Sequence, residues 1–314
     1  MTISEKQISL ITVDIVIINY NTPELVENAI RSIRDNSTID TIITVVDNGS
    51  TDNSCEYIRN HCKDVSLIEM GYNSGFATAV NAGVNQVNSD IVFIMNSDIE
   101  LKNNVITIVI DKLLSDIDAV LACPKLLNED GSLQAAVVPT PNLFTELTNR
   151  SLARKRLNTD MIQTSSVDSV VGPCMAVKTK EFHKLNGFDE DFFFFFEETD
   201  FCKRIKDSNK KILFVPEAKL VHFQGKSADK TPAAARIQFN LSRYHYFMKH
   251  FGIMQSLILF LGCFIRLFFN ISGTFLIAVI MPFKKKYRSK LSTYIILWIW
   301  HLLLLIPKWG MNKK

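Results

Sequence analysis

The stretch that decides the fold is Asp90-Ile91-Val92-Phe93-Ile94-Met95-Asn96-Ser97-Asp98-Ile99-Glu100. Its apolar part, residues 91–95, has no polar break and is rich in β-branched residues. This predicts a strand buried on both faces, as in a parallel sheet. The run stops at Asn96-Ser97-Asp98, and open α/β sheets bind ligands at the carboxyl ends of their strands. Asp98 is therefore the first candidate for a metal and diphosphate site, although a simple polar turn after a strand explains the same residues.

Similar apolar runs recur on both sides of this stretch and predict further strands. Two of them precede it, and each ends in polar residues: Val13–Tyr20 runs into Asn21, and Ile42–Val46 runs into Asp47. The remaining predicted strands are Val65–Glu69, Ala119–Pro124, Val170–Val177 and Lys211–Pro216. Strands alternating with helical segments predict an α/β fold, with a mostly parallel sheet flanked by helices.

The turns after the first two strands carry chemical information. Thr22 and Pro23 have the residue types of a helix N-cap and first helical position, so a helix is predicted to begin there. No G-x-G-x-x-G follows the strand, which argues against a dinucleotide-binding oxidoreductase. Asp47 could accept the N3–H of uracil or thymine, or could belong to an ordinary polar turn. Gly49 allows the backbone to turn sharply beside a ligand.

Small residues and asparagines from Gly71 to Gly83 predict the opening of a helix that runs to about Val87. Free N–H groups at a helix N-terminus are suitable neighbours for a nucleotide phosphate. The same small residues could instead serve close packing, and the sequence leaves both interpretations open.

A second acidic cluster follows five consecutive phenylalanines, Phe192 to Phe196, which predict core packing. Glu197, Glu198 and Asp200 lie in the first turn of a predicted helix. Acids there gain about 0.3–1 kcal/mol each from the helix dipole, which accounts for one or two of them. Three beside such an apolar stretch predict a site with a general base. His222 lies beyond the last predicted strand with Gly225 close behind, so it could close over a metal, although a single histidine is usually structural.

The charge of the chain is unevenly distributed. All 32 acidic residues lie in 1–229, whereas residues 230–314 contain thirteen Lys and Arg and no acid. Two apolar stretches, Phe251–Phe283 and Leu291–Pro307, flank the basic linker Lys284–Lys290. These features predict a catalytic domain over 1–250 and a membrane-associating helical tail over 251–314, with a buried helix pair as the alternative.

The tail is predicted to stay on one side of the membrane. A single crossing by the first stretch would place the basic linker outside, against the positive-inside tendency. It would also place Arg266 near the bilayer centre, at a cost of at least about 2.5 kcal/mol. The first stretch could double back near Asn270–Gly273, or both stretches could lie in the interface. Either arrangement predicts a membrane-associated protein on the cytoplasmic face.

Two further features bear on location and acceptor. The six cysteines form no CxxC pair, so the sequence indicates neither a zinc site nor a disulfide framework, and residues 1–9 contain no signal-peptide core. Both point to the cytosol. Residues 131–159 are polar, irregular and basic near Arg150, Arg154, Lys155 and Arg156, which suggests a mobile loop near an acceptor.

Taken in order, these motifs resemble those of the inverting glycosyltransferases of family 2, which have the GT-A fold. The closest likeness is to bacterial rhamnosyltransferase-like enzymes of cell-surface polysaccharide synthesis. The resemblance covers roughly residues 13–250. Each motif is weak by itself, and their order and spacing carry the resemblance. The motifs are Val16–Asn21, Val46–Asp52, Asn73–Ala77, Asn96–Asp98, Gly187–Glu190, Phe196–Asp200 and His222–Gly225.

The resemblance implies a nucleotide-sugar donor, a dTDP- or UDP-sugar, bound across the strand ends. It implies Mg²⁺ or Mn²⁺ held by Asp98 and His222, and Asp47 in contact with the nucleobase. It also implies Glu198 as the general base, with Asp200 as the rival candidate. The implied acceptor is a glycan on a polyprenyl carrier. Nucleic acid is not an expected partner. The implied nucleotide-binding residues are Asn19, Tyr20, Asn21, Asp47, Asn73, Gly75, Asn81, Asn96 and Ser97.

This sequence departs from the family pattern at two positions. Asn96 stands where the first Asp of the DxD motif is usual, which removes one charged metal ligand. Glu198 stands where the base is usually Asp. The sequence leaves two other functions open. A nucleotidyltransferase would normally need a Gly-rich basic loop after the first strand, and Asn19–Pro23 has none. A non-catalytic sugar- or nucleotide-binding homologue is disfavoured by Asp98 and Glu198.

Overall fold

The computed structural model describes residues 11–148, 162–223, 232–281, 283–303 and 311. Residues 149–159 of the loop predicted over 131–159, and the glycine at 225, lie outside the described residues. The rest of that loop is more regular than predicted, with short strands at Leu133–Gln134 and Val137–Val138 and a helix at Leu143–Leu147. Internal contacts divide the chain into two compact units. The first, here called the sheet unit, comprises 1–140, 151–191 and 197–227. The second, the helical unit, comprises 141–150, 192–196 and 228–314. The domain boundary predicted at residue 250 stays a prediction.

Within the described residues, the strands all belong to the sheet unit. In chain order they are β1 Val13–Asn19, β2 Ile42–Asp47, β3 Ser66–Glu69, β4 Ile91–Asn96, β5 Ile99–Leu101, β6 Ala119–Leu127, β7 Leu133–Gln134, β8 Val137–Val138, β9 Ser165–Val167, β10 Ser169–Val170, β11 Cys174–Lys178 and β12 Lys211–His222.

The helices lie in both units. In chain order they are α1 Pro23–Asn36, α2 Ser54–His61, α3 Phe76–Val84, α4 Val105–Ser115, α5 Leu143–Leu147, α6 Thr179–Lys184, α7 Glu197–Asp207, α8 Pro232–Ile280 and α9 Lys285–Leu302. Helices α5, α8 and α9 belong to the helical unit.

The main sheet has the order β3-β2-β1-β4-β11-β6-β12-β5, with β7 paired to β6 and β9 to β12. Strands β3, β2, β1 and β4 are parallel, whereas β11 is antiparallel to both β4 and β6. Residues 91–95 are completely buried, as their apolar run predicts. The predicted α/β fold with flanking helices is confirmed, and the sheet is mixed because β4 has one parallel and one antiparallel neighbour.

Strand β12 is longer than the sequence predicts. It continues past Pro216, where the prediction ended it, and its pairing with β6 shifts register between Val215 and Lys219. Proline cannot donate to the ladder, and this irregularity accommodates it. His222 is therefore the last residue of the strand and lies opposite Ile99 of β5. Strand β5 was not predicted because three residues are too short for a periodicity signal.

The small residues before Val84 serve close packing in α3. A Cβ built on Gly83 would lie 2.4 Å from a methyl group of Val16 and 2.9 Å from one of Val46. The helix can therefore lie directly on β1 and β2. It ends at Val84, a few residues before the predicted end at Val87, and begins after Gly75.

The helical unit has its own core. Of the five phenylalanines, Phe192, Phe193 and Phe196 are buried, and Phe192 and Phe196 pack with side chains of α8 and α9. Helix α8 has one non-helical residue, Gly252, with φ 77° and ψ −179°. The chain does not turn back at Asn270–Gly273, one of the two arrangements considered above, because those residues continue the helix.

The second part of α8 exposes a large apolar surface. Leu261, Ile265, Phe268 and Phe269 are each more than half exposed. Residues 233–280 are long and apolar enough to cross a membrane by length and composition, and only 11% of the most apolar window is buried in the protein. An apolar surface of this kind is typical of contact with a membrane or another protein.

Candidate active site

Parallel pairing brings several predicted site residues to one edge of the sheet. Asn19 at the end of β1 lies opposite Asp47 at the end of β2, and Ile18 lies opposite Asn96 at the end of β4. Asn19, Asp47 and Asn96 therefore lie on neighbouring strands at the same carboxyl edge, where such sheets bind ligands. Their individual roles stay predictions.

Asp47 is the centre of a buried hydrogen-bond network. It is 2% exposed, and its carboxylate accepts hydrogen bonds from Asn19 Nδ2 at 2.7 Å, from Ser50 N at 2.9 Å and from Ser50 Oγ at 2.5 Å. Burial, and after it the charge of Asp47, raises the pKa of the nearby Cys55 thiol to about 12. The carboxylate therefore holds the turn after β2, and a nucleotide base would have to share it with these donors.

A second network joins the turns after β1 and β4. Thr22 occupies the predicted N-cap position of α1, but its side chain does not cap the helix. Its hydroxyl instead contacts Asn19 Oδ1 at 3.0 Å and Ser97 Oγ at 2.8 Å. Asn21 has a left-handed backbone, with φ 57°, and accepts from Thr51 N at 2.8 Å. Tyr20, which precedes Asn21 in the sequence, is half-buried.

Asn48 is a residue that the sequence analysis missed. Its side-chain oxygen accepts from Ser74 N at 2.9 Å, and its amide nitrogen donates to the carbonyl oxygen of Gly75 at 3.2 Å. It also contacts Asn73 Oδ1 at 3.3 Å. Asn48 therefore fixes the segment that leads into α3. A sequence signal exists, because Asn48 lies directly after a strand in the quoted Val46–Asp52 motif.

Gly49 is required beside this segment. Its φ is +72°, and an added Cβ would lie 2.2 Å from the carbonyl carbon of Tyr72. No side chain fits in that space, so the turn after β2 can approach residues 72 and 73 only with glycine at this position.

The side-chain amide of Asn81 contacts the Gly187–Glu190 motif. Its Nδ2 donates to the carbonyl oxygen of Phe188 at 2.8 Å and to Glu190 Oε1 at 2.9 Å, and its Oδ1 accepts from Phe188 N at 2.9 Å. The structure thus gives Asn81 a positioning role for residues 187–190. Its contact with a nucleotide stays a prediction.

The two predicted metal ligands, Asp98 and His222, lie close together at the end of β12. His222 Nε2 is 3.4 Å from Asp98 Oδ1, and both side chains are almost fully buried. The pairing of β12 with β5 produces this approach, because it places His222 opposite Ile99, the residue after Asp98. The backbone N–H of Phe223 also donates to the carbonyl oxygen of Asp98 at 2.9 Å.

Gln134, a second residue missed by the sequence analysis, orients His222. Its Nε2 donates to Asn128 Oδ1 at 2.9 Å and to the carbonyl oxygen of His222 at 3.3 Å. Its Oε1 is therefore the atom that faces His222 Nδ1, at 2.6 Å, and it accepts the Nδ1 hydrogen. In a neutral imidazole this leaves the Nε2 lone pair directed at Asp98.

This arrangement fits a divalent cation. Two lone-pair donors, a carboxylate oxygen and an imidazole nitrogen, face each other and would repel unless a proton or a cation lay between them. Histidine ligands of metals usually donate their other ring N–H to a neighbouring acceptor, and Gln134 supplies that acceptor here. Asp98 and His222 are therefore chemically suited to hold Mg²⁺ or Mn²⁺.

The three acids at the start of α7 differ in their surroundings. Glu197 is buried with no hydrogen-bond partner for its Oε2, and burial, followed by the charge of Glu198, raises its pKa well above the usual range. Asp200 is completely buried and accepts from Arg204 Nε at 2.7 Å. Glu198 is only half-buried. Of the three, Glu198 is the one that solvent and a substrate can reach.

The turn before β11 connects Glu198 with the end of β4. The carbonyl oxygen of Pro173 accepts from the backbone N–H of Asn96 at 2.9 Å. At the preceding residue, Gly172, an added Cβ would lie 3.9 Å from Glu198 Cγ. The turn therefore brings Glu198 to the side of the segment that carries Asn96, and Asp98 lies two residues further on. The assignment of Asp98 and His222 as metal ligands, and of Glu198 as base, stays a prediction.

Two known proteins with similar sequences are named as glycosyltransferases. The chain is 25% identical over 223 residues to N-acetylglucosaminyl-diphospho-decaprenol L-rhamnosyltransferase of Mycobacterium tuberculosis, covering 64% of this chain and 73% of that protein. It is 26% identical over 219 residues to the low-salt glycan biosynthesis hexosyltransferase Agl10 of Haloferax volcanii, covering 67% of each.

Two solved structures share the fold of this chain. The mannosyltransferase PcManGT of Pyrobaculum calidifontis, solved with GDP-Man and Mn²⁺, has a TM-score of 0.57 at 16% identity, over 97% of this chain and 88% of that one. GalNAc-T7, solved with UDP, GalNAc and Mn²⁺, has a TM-score of 0.57 at 15% identity, and this chain spans 50% of its length. These likenesses establish the GT-A fold.

Family models match most of the sheet unit. The model described as N-terminal domain of galactosyltransferase matches residues 159–226, which contain Glu198 and His222. The model described as glycosyl transferase family 2 matches residues 14–182, more than half of the chain, and contains every strand end described above except that of β12. The chain is therefore a glycosyltransferase that belongs to glycosyl transferase family 2.

Proposed function

We propose that this protein is a metal-dependent, inverting glycosyltransferase that moves one sugar from a nucleotide diphosphate to a lipid-linked glycan. A dTDP- or UDP-sugar is the proposed donor, and rhamnose is the first candidate for the sugar. The observation that carries the proposal is the 3.4 Å approach of His222 Nε2 to Asp98 Oδ1 at the end of β4. These two side chains would form a metal-ligand pair at the edge where an α/β sheet binds nucleotides.

Glu198 is the proposed general base. Its carboxylate would accept the proton of an acceptor hydroxyl while the hydroxyl oxygen attacks the anomeric carbon, on the face opposite the departing nucleotide. The C–O bond to the diphosphate breaks as the new glycosidic bond forms, so the anomeric configuration inverts. Glu198 is favoured over Asp200, because Asp200 is buried and already paired with Arg204.

A bound Mg²⁺ or Mn²⁺ would supply positive charge to the leaving diphosphate. Asp98 and His222 would hold it, and Gln134 would keep His222 in the tautomer that leaves Nε2 available. Asn96 contributes an amide where a second carboxylate is usual, so the protein places less negative charge on the metal. The polar edge formed by Asn19, Asp47 and Asn96 would receive the nucleotide.

The proposed acceptor and location follow from the helical unit and the relatives. The mycobacterial relative is named for a diphospho-decaprenol acceptor. The exposed apolar surface of α8 and the basic linker Lys284–Lys290 would hold this protein against anionic lipid, since each basic residue near such a surface contributes about 1 kcal/mol. The proposed location is the cytoplasmic face of the cell membrane.

The full chain, purified in detergent, tests the proposal. We would supply N-acetylglucosaminyl-diphospho-polyprenol, Mn²⁺ and a panel of radiolabelled dTDP- and UDP-sugars, and follow sugar transfer to the lipid by chromatography. Transfer from one donor, lost on chelation and restored by Mn²⁺, is the expected result. Absence of both transfer and donor hydrolysis with every donor would reject the proposal.

Three variants test the assigned roles, with Glu56→Gln as control, because Glu56 is an exposed acid on α2. Glu198→Gln removes the proton acceptor at nearly constant shape, and we expect a loss of about 10²-fold or more in rate with donor binding retained. Asp98→Asn should nearly abolish turnover. If Asp200→Asn is inactive in a folded protein while Glu198→Gln is active, the base has been assigned to the wrong carboxylate.

A further inference from the structure

The helical unit contains a cavity whose walls carry three arginines. Its volume is about 240 Å³, and its lining includes Arg236, Arg243 and Arg266 of α8 and Tyr294 of α9. We refer to this cavity as the arginine pocket. Every lining residue belongs to the helical unit, whereas the strand ends at which the sugar nucleotide is proposed to bind belong to the sheet unit.

The break in α8 at Gly252 creates the pocket. In a straight helix, Arg243 and Cys263 would be about 30 Å apart, at 1.5 Å per residue. In the structure, Arg243 Nη2 is 3.0 Å from Cys263 Sγ, and Arg266 Nη2 is 3.6 Å from the same sulfur. The helix therefore folds back on itself at Gly252, and arginines from its two parts face one another.

Positive charge in the pocket exceeds the negative charge that the described residues supply. Glu146 is the carboxylate within reach, 3.5 Å from Arg243 Nη1. Arg266 donates to the carbonyl oxygen of Glu146 at 2.9 Å, and Arg236 lies over the ring of Tyr294 at 5.6 Å. Because residues 230–314 contain no acid, α8 and α9 have no carboxylate with which to balance the three arginines.

Arg243 gives a second, independent indication of a ligand. It is 5% exposed, and its Nε has no hydrogen-bond partner among the described residues. Arg243 is already paired with Glu146 and donates to Asn240 Oδ1, but a buried guanidinium N–H with no acceptor is costly unless a ligand supplies one. Guanidinium groups bind phosphate through paired N–H donors, so a phosphate or diphosphate is the chemistry that this pocket fits.

The surface around the pocket indicates what the phosphate is attached to. Ile265, Phe268 and Phe269 flank Arg266 in α8 and are 54–67% exposed. A free nucleotide or inorganic phosphate would gain nothing from such an apolar surface, whereas a lipid would bury its chain against it.

We propose that the arginine pocket binds the diphosphate of a polyprenyl-linked acceptor, with the prenyl chain along the exposed face of α8. The identity of the lipid rests on the function proposed above, whereas the phosphate chemistry rests on the pocket. In this proposal the helix hairpin binds the lipid carrier of the acceptor through its diphosphate and makes no contact with the sugar being transferred.

The test measures lipid binding by the full chain in detergent, by native mass spectrometry. The probes are a polyprenyl diphosphate, the matching polyprenol, phosphatidylglycerol and inorganic pyrophosphate. We expect the diphosphate lipid to bind at least about tenfold more tightly than the other three, since hydrogen bonds to charged groups contribute this much or more. Equal binding of phosphatidylglycerol would overturn the polyprenyl assignment, and equal binding of pyrophosphate would overturn the lipid assignment.

Two variants locate the site. Arg266→Gln and Arg236→Gln each remove one pocket guanidinium, and we expect each to weaken binding of the diphosphate lipid about tenfold or more. Arg236 is exposed, so its replacement should leave folding intact even if Arg266→Gln does not. Arg288→Gln is the matched control, because Arg288 is an exposed arginine of α9 outside the pocket. Equal weakening by Arg288→Gln would show that only surface charge matters and would overturn the pocket.

Donor hydrolysis without acceptor separates this inference from the proposed function. If the pocket variants lose lipid binding and lipid-dependent transfer but keep the donor hydrolysis rate, both stand. If the wild-type protein binds the diphosphate lipid more tightly than the pocket variants do but shows no turnover, the proposed function is rejected and the arginine pocket is supported. If transfer proceeds and the pocket variants bind the diphosphate lipid as the wild type does, the pocket fails and the function stands.

Discussion

The backbone N–H of Asn96 donates a hydrogen bond to the carbonyl oxygen of Pro173, at 2.9 Å. Asn96 ends β4, and Pro173 belongs to the turn before β11. The residue before it, Gly172, leaves open the space beside Glu198. One short turn therefore sets the spacing between the proposed base and the strand end that carries Asp98.

Gly172 offers a test of this spacing that leaves every reacting group in place. A Cβ at this position would make ordinary contact with Glu198, at 3.9 Å from Cγ, so Gly172→Ala should retain most activity. Gly172→Leu should push Glu198 aside and lower kcat by about 10²-fold, the cost of misplacing a catalytic group by roughly 1 Å. Calorimetry should show unchanged affinity for the nucleotide diphosphate. Equal kcat in the Ala and Leu variants would exclude Glu198 as a positioned base.

Asp47 should matter for stability as well as for the nucleotide. Asp47→Ala leaves the buried amide of Asn19 with only the longer hydrogen bond to Ser50 Oγ, at 3.2 Å, and removes the acceptor of Ser50 N. A buried donor that loses its acceptor costs about 1–3 kcal/mol of unfolding free energy. Urea unfolding of the purified variant measures this loss. Asp40→Ala is the control, because Asp40 is an exposed acid just before β2. If Asp47→Ala is as stable as the control but binds the donor more weakly, Asp47 contributes to nucleobase binding and not to stability.

The sequence was most informative where a single strand carries both the apolar run and the polar end. Residues 91–95 predicted a buried strand because a short apolar run rich in β-branched residues and bounded by polar residues is typical of one. The resemblance implied a nucleotide across the strand ends, and the strand register places Asn19, Asp47 and Asn96 at one carboxyl edge of the sheet. The buried strand followed from local pattern, whereas the grouping of these three residues follows from how the strands pair.

The rest of the site depends on long-range pairing that no local pattern reports. Gln134 reaches His222 only because β7 pairs with β6, and β6 with β12. The continuation of β12 past Pro216 requires a bulge, which a proline in a strand does not by itself predict. The arginine pocket depends on a break in α8 at Gly252, whereas the two arrangements considered from the sequence were a turn near Asn270–Gly273 and two interfacial helices.

Gln134 gives a prediction about the metal rather than about turnover. Gln134→Leu removes the acceptor of the His222 Nδ1 hydrogen at similar volume, and loss of such a partner lowers metal affinity by about 10–100-fold. Electron paramagnetic resonance titration of Mn²⁺, with nucleoside diphosphate present, measures the affinity directly. Gln86→Leu, at an exposed glutamine after α3, is the control and should bind Mn²⁺ as the wild type does.

Glu197 gives a prediction about pH. Burial holds its pKa well above the ordinary value of 4.5, so above that pH the unfolded chain loses the proton while the folded protein retains it. The folded state therefore loses stability as pH rises, by up to about 1.4 kcal/mol per pH unit until the folded pKa is reached.

Glu197→Gln removes this dependence. In urea unfolding, the variant should gain stability relative to the wild type between pH 5 and pH 8. Asp207→Asn, at an exposed acid on the same helix, should keep the wild-type trend. A constant difference between Glu197→Gln and the wild type across this range would show that Glu197 is ionised in the folded protein.

The last prediction concerns the side of the membrane on which the basic linker lies. If the protein lies on the cytoplasmic face without crossing, Ser289, an exposed residue at the start of α9, faces the cytosol. A single cysteine at Ser289, in a chain from which the six native cysteines have been removed, should react with a membrane-impermeant maleimide only after the cytoplasmic side is opened. A second cysteine placed alone at Glu56, in the sheet unit, is the control for the cytosolic side. Labelling of intact cells at position 289 but not at 56 would show that α8 crosses the bilayer and would place the linker outside.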